Sequence, residues 1–241
     1  MTTNLDPPAV ALAIGAHPDD IEFGCGGTLA KWAAAGCQIH HLVCTDGSKG
    51  SWDPAEDRAL LVATRRDEQR DAARALGGRG DVVFLDWPDG ELDSGLRQRW
   101  EVAYWIRRIR PGVVLGHDPW RRYRLHPDHR AAGFLATDGI VAARDPHFFP
   151  EQELKPHRPD RLLLWEADDI DHVEDVSGFV DIKVRALLAH RSQFRSTMQI
   201  ADAGSGDERE AFRLRVVERL AEHGARAGLS AGEGFKLIDR L

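Results

Sequence analysis

The chain has 241 residues, 42% of them hydrophobic, with a formal net charge of −7. That length fits one large α/β domain able to bury a sizeable core, and the acidic balance excludes the face-wide lysine and arginine excess that nucleic acid or anionic lipid calls for. Three cysteines without CxxC spacing exclude a disulfide framework and a structural zinc knuckle.

Residues 1–8 end in Pro7-Pro8 and read as a loose leader. Ala9 to Gly15 is a short apolar run and reads as a buried strand. The turn Ala16-His17-Pro18-Asp19-Asp20 follows, then Gly24-Cys25-Gly26-Gly27 and a helix over about 26–35, stopped by Gly36. Gln38 to Cys44 reads as the second strand, with Cys37 and Cys44 as small core residues beside it. A helix over about 55–76 leads to a third strand at 81–85, and a helix at 95–109 leads to a fourth at 113–116. Strands alternating with helices imply right-handed crossovers and a mostly parallel sheet. The loops at 16–24, 45–54, 86–94 and 117–128 all follow strands, so all emerge at one sheet edge, where ligands bind in such folds. A helix from Pro127 toward Ala143 comes next, then a proline-rich loop at 145–160, a strand at 161–165 and a helix at 182–190. Gly204 to Asp207 reads as a flexible break, followed by a helical extension over 204–241 with a late edge strand at 235–238. The chain is read as one domain. No basic segment leads an apolar stretch and no run approaches the roughly 20 residues of a membrane span, so a soluble cytoplasmic protein is expected.

Chemistry concentrates in two clusters. His17 and Asp20 stand three apart across a turn, so both side chains can point to one spot. In His126-Pro127-Asp128-His129, Pro127 suits the first helical position, which puts His126 at the cap and His129 one turn in. His17, Asp20 and His129 then supply two nitrogens and one oxygen, the set a hydrolytic zinc site uses. Ferrous iron or another divalent metal fits the same donors. Asp19 beside the ion suits a general base, and His126 suits a proton donor or a stabiliser of developing negative charge. Asp128 can orient a histidine from behind. The alternatives are a helix-capping loop with no metal, a two-histidine-one-carboxylate iron oxygenase, and a non-catalytic binding or regulatory protein that retains the pocket. His40, His41, His147, His157, His172 and His223 read as surface or packing residues, and Cys25 has no activating base in view. The glycines at 24, 26 and 27 lack the spacing of a dinucleotide fingerprint.

AHPDDIEFGCGGTLAKWAAAG followed by LHPDHR resembles the PIG-L (LmbE-like) family of metal-dependent N-acetylglucosaminyl deacetylases. The resemblance covers about 10–195. It implies a Rossmann-like, three-layer α/β fold and hydrolysis of an N-acetyl group on a small amino-sugar substrate, with a homo-oligomer in keeping with the family. His17, Asp20 and His129 match the family's zinc ligands, Asp19 its base and His126 its acid or oxyanion stabiliser. Arg65, in Arg65-Arg66-Asp67-Glu68, and Asp89, in Pro88-Asp89-Gly90, match residues that contact sugar hydroxyls. The stretch from Lys183 to Gln193, with His190, also resembles a family segment, without an assignable role. Some sugar-thiol members carry Tyr two residues before the second motif; here Arg124 stands there, Tyr123 is one position further away, and Trp120 to Arg124 is unusually basic for the rim of a site. That stretch is either a solvated loop or a preference for an anionic substrate.

Overall fold

Alternation along the strands distributes side chains between two apolar layers. In β2 (Val10–Gly15), Leu12 and Ile14 face one buried cluster with Val102 and Ile106 of α3 (Leu96–Ile109) and Ala132, Leu135 and Ile140 of α4 (Pro127–Arg144). Ala11 and Ala13 face the other way, onto Ile21, Leu29 and Trp32 of α1 (Asp20–Ala34) and Ala72 of α2 (Arg58–Ala75). A strand covered on both faces must be apolar at every position, which is why it reads as an unbroken run. The structure, a computed structural model, describes residues 1–241. Its other elements are β1 (Thr2–Thr3), β3 (Gln38–Thr45), β4 (Val82–Trp87), β5 (Val113–His117), β6 (Arg161–Trp165), β7 (His172–Asp175), α5 (Val180–Leu187), α6 (Gly206–Ala225) and β8 (Gly232–Ile238). The result is the three-layer α/β fold with a mostly parallel sheet. No helix is long and apolar enough to cross a membrane.

The eight strands lie in the order β1-β7-β8-β6-β5-β2-β3-β4. From β6 to β4 every pair is parallel. The chain moves outward from β2 to β3 and β4, then crosses back to β5 on the other side of β2. Strand order therefore reverses between β2 and β5, and the crevice at that reversal is the ligand-binding position of open α/β sheets. The loops 16–19, 46–57, 88–95 and 118–126 all leave at this edge. A parallel α/β sheet, rather than a β-sandwich, argues against the oxygenase alternative.

Four sequence expectations change. α1 begins at Asp20, before the glycines, and its backbone leaves helical geometry at Cys25 (φ −147°). Residues 1–8 are anchored rather than loose: Thr2 and Thr3 pair with His172 and Val173 of β7. The 204–241 segment is not purely helical, because its last strand, β8, lies between β6 and β7 and is antiparallel to both rather than at an edge. Ser205, in the expected flexible break, caps α6 by accepting the Glu208 amide at 3.2 Å.

Candidate metal centre

The turn after β2 is built so that two neighbouring aspartates face different ways. Asp19 sits in the left-handed region (φ 106°, ψ −26°) at the start of α1, and its side chain makes no cap hydrogen bond. That argues against a mere helix-capping loop. The His17 amide donates to Asp20 Oδ2 at 2.7 Å, folding that carboxylate back over the turn. At the other motif, His126 is the cap residue of α4, Pro127 occupies its first turn, and His129 follows within that turn.

The two motifs meet at Asp20. His17 Nδ1 lies 3.3 Å from Asp20 Oδ2, and His129 Nε2 lies 3.3 Å from Asp20 Oδ1. The rings of His17 and His126, and of His126 and His129, are 4.7 Å apart; those of His17 and His129 are 5.2 Å apart. Donor atoms of His17, His126 and His129 lie within 4.8 Å of one another, as do those of Asp20, His117 and His129, and of His17, Asp89 and Asp128. The expected trio is thus spread over overlapping groups that share His129 and His17, with Asp20 in contact with both. Two imidazoles and a carboxylate facing one another suit a divalent ion of the zinc or iron type. Burial works against charge on Asp20, but the imidazoles of His129 and His117 hold its carboxyl well below the usual carboxylate range.

The other nitrogen of His17 is held from behind. Nε2 lies 3.1 Å from Asp128 Oδ2 and 3.3 Å from Asp89 Oδ1. Asp128 is fully buried and also accepts the amides of Gly90 at 2.6 Å and Leu92 at 3.2 Å, tying the loop after β4 to α4. Asp128 thus holds the His17 nitrogen that does not face Asp20. Asp89 faces inward, accepting the Lys49 amide at 2.9 Å. Burial opposes its charge, but the hydrogen bond from His17 and the charge there bring its carboxyl down to about 2.

Burial pushes Asp19 up to about 6, against the pull of the Arg65 guanidinium 3.8 Å away. Arg65, expected to contact sugar hydroxyls, has its guanidinium engaged within the protein. Only 3% exposed, it donates to the carbonyl oxygens of Gly47 at 2.8 Å and Pro18 at 2.6 Å, bracing the turn that carries Asp19. The reason is crowding: a Cβ on Gly50 would lie 2.1 Å from Arg65 Nη1, so glycine there lets the guanidinium pass under the loop. Arg65 and Asp89 are both turned into the protein rather than toward open space. The Asp19 amide donates to Gln69 Oε1 at 3.0 Å, and Gln69 donates on to Glu22 at 2.8 Å. Glu22 Oε2 lies 3.2 Å from His190 Nε2, so the segment without an assignable role ends behind the proposed base. His126 is more exposed than His17 or His129. Partial burial and the imidazoles of His17 and His129 lower its pKa.

Sequence reading missed His117. It is the last residue of β5, stacks on His129 with centroids 4.4 Å apart, and brings Nε2 to 3.2 Å from Asp20 Oδ2. Its one available signal was position: the final residue of a strand at the sheet edge where both motifs emerge. The basic loop is largely neutralised. Arg121 and Arg124 reach Glu166 at 3.5 and 2.6 Å, and Arg122 reaches Asp168 at 3.5 Å. Arg124 Nη1 also approaches His129 Nδ1 at 3.0 Å. Tyr123 is 91% exposed, with its backbone at φ 58°.

Residues 12–140 match the model of the PIG-L family, described as GlcNAc-PI de-N-acetylase. Diacetylchitobiose deacetylase of Thermococcus kodakarensis is 36% identical over 186 residues, covering 76% of this chain and 69% of that protein. The 1D-myo-inositol 2-acetamido-2-deoxy-alpha-D-glucopyranoside deacetylase of Streptomyces avermitilis is 31% identical over 169 residues, 60% of this chain and 57% of that one. Among solved structures, N,N'-diacetylchitobiose deacetylase from Pyrococcus horikoshii, complexed with an inhibitor, superposes with a TM-score of 0.86 at 29% identity, covering 96% of this chain and 84% of that chain.

Proposed function

This chain belongs to the PIG-L family, and on that premise we propose that it is a metal-dependent hydrolase removing the N-acetyl group from an N-acetylglucosamine-containing sugar. The observation that carries the reading is the pair Asp19–Asp20. The Asp20 carboxylate meets His17 and His129 at 3.3 Å each, while Asp19, in a left-handed turn, faces the Arg65 guanidinium at 3.8 Å. Imidazoles lower the first carboxyl against its burial, and burial raises the second to about 6 against that guanidinium. Neighbouring carboxyls whose surroundings push their proton affinities apart divide the work between binding and proton transfer.

In this reading His17, Asp20 and His129 hold the ion, zinc in preference to ferrous iron. Such an ion supplies Lewis-acid polarisation of the amide carbonyl and activation of water. Asp19 accepts the proton of the attacking water and is basic enough to hold it until the amine leaves. His126 presents an N–H to the oxygen that gains negative charge or to the departing nitrogen. Asp128 and Asp89 fix the His17 ring, and Arg65 fixes the turn bearing Asp19. The substrate class follows the relatives, which carry names of deacetylases acting on chitobiose and inositol-linked amino sugars.

The test is acetate release from N,N'-diacetylchitobiose and from simple N-acetylglucosaminides, with and without chelator. Chelator-sensitive release is expected. Tight sugar binding with no release by zinc- or iron-loaded protein would favour a binding protein and sink the hydrolase.

A further inference from the structure

His117 faces the same carboxylate as His129, and the two rings stack, so geometry alone offers either as a ligand. Their outer nitrogens tell them apart. Trp165 Nε1 lies 2.9 Å from His117 Nδ1. An indole N–H only donates, so Nδ1 is the acceptor and the ring proton sits on Nε2. That N–H points at Asp20 Oδ2, 3.2 Å away. Oδ2 thus receives two N–H groups, from the His17 backbone and from the His117 ring, while Oδ1 faces His129.

The indole cannot turn away. Trp165 is 1% exposed, and its ring lies flat against Gly24, where a Cβ would come within 2.5 Å of Trp165 Cδ2. The donor facing His129 is of another kind. Arg124 is a buried guanidinium whose Nη1 bonds Glu166 at 2.6 Å as well as facing His129 Nδ1 at 3.0 Å, so it is shared between two acceptors. His117 therefore presents its Nε2–H to Asp20 behind an indole whose single N–H has no other partner, whereas His129 shares its donor with Glu166.

We propose that His117 is a positioning residue: the relay Gly24–Trp165–His117 fixes the Asp20 carboxylate for the ion without His117 itself ligating. This rests on the metal-centre reading above. It also gives the glycine at 24 a role in packing against an indole rather than in binding phosphate. Orienting partners of this kind change metal affinity by about 10- to 100-fold when removed.

The experiment is Co2+ binding to the full chain, by chelator competition and by the visible absorption of the bound ion. His117→Leu is expected to weaken Co2+ binding about 10- to 100-fold with the absorption bands unchanged in position and intensity. His117→Gln, which keeps an N–H near the Nε2 position, should restore most of the affinity, and Trp165→Phe should weaken binding several-fold. Altered bands in His117→Leu, or failure of Gln to rescue, would make His117 a ligand and overturn the proposal. Wild-type affinity in His117→Leu would overturn it too. Should His117→Leu fail to fold, Trp165→Phe and His117→Gln decide: wild-type affinity in the first, or altered bands in the second, overturns it. Wild-type protein that takes up no Co2+ would instead remove the metal-centre reading, and this relay with it.

Discussion

At the β2/β5 edge, Asp20, His17, His126 and His129 lie together, and no lysine or arginine pairs with the Asp20 carboxylate. On the antiparallel side of the sheet, buried charge is closed. Glu233 of β8 accepts the amides of Gly27 and Thr28, the Thr28 hydroxyl and the Lys183 ammonium, at 2.6–2.8 Å. Glu174 of β7 accepts from the Leu5 amide at 2.7 Å and pairs with His172 at 2.8 Å and with Lys31. Both carboxylates are at least as buried as Asp19 and Asp20. Burial of charge by itself is therefore no mark of a site; what marks it is a largely buried carboxylate met by imidazoles and a backbone amide, with no ammonium or guanidinium paired to it. Four substitutions probe that contrast.

The largest effect belongs to the open edge. Asp19→Asn should lower kcat by about 10^2- to 10^4-fold, the range for a lost general base. Ion binding should be retained, as read by acetate release and chelator competition. Loss of the ion instead would mean that the two aspartates have been assigned the wrong way round.

On the closed side the cost is stability. Glu233→Ala leaves the Lys183 ammonium buried against Phe23 O alone, and removing one partner of a buried pair costs about 3–5 kcal/mol. Denaturant unfolding measures it, and kcat of the remaining folded protein should hold. A drop in kcat without a drop in stability would erase the distinction between the halves.

Gly24→Ala joins the two regions, since the new Cβ would collide with Trp165. Overpacking of this kind costs about 1–3 kcal/mol. If the indole shifts to relieve it, metal affinity should fall as well.

The smallest effect is one of pH. Burial opposes the charge on Glu174, but hydrogen bonds from His172 and Lys31 hold its carboxyl below its usual range. A depressed native pKa adds stability above the unfolded value, about 4.3, that is lost as pH falls through the native one. Glu174→Gln should therefore be less stable than wild type at neutral pH and lose less on acidification. Parallel stability–pH curves for the two proteins would contradict the assignment.

The alternation of apolar runs and helices made the parallel half of the sheet legible, and strands β2 to β6 fall close to where the sequence puts them. The other half was not legible. β1 and β7 are only two and four residues long, and β8 reads as an edge strand because nothing local says which neighbours it will have. Arg65 shows the same limit at the site. Its motif is visible, but the direction of its guanidinium is set by a glycine in another loop.

The sequence by itself determined the two motifs and their local geometry. A turn with His17 and Asp20 three apart, and a helix start with Pro127 between His126 and Asp128, are governed by covalent geometry and capping over a few residues. Only the tertiary structure decided which nitrogen of each imidazole is free. That depends on partners such as Asp128 for His17 and Trp165 for His117, 111 and 48 residues away. Strand register and packing bring them there, and no spacing in the chain records it.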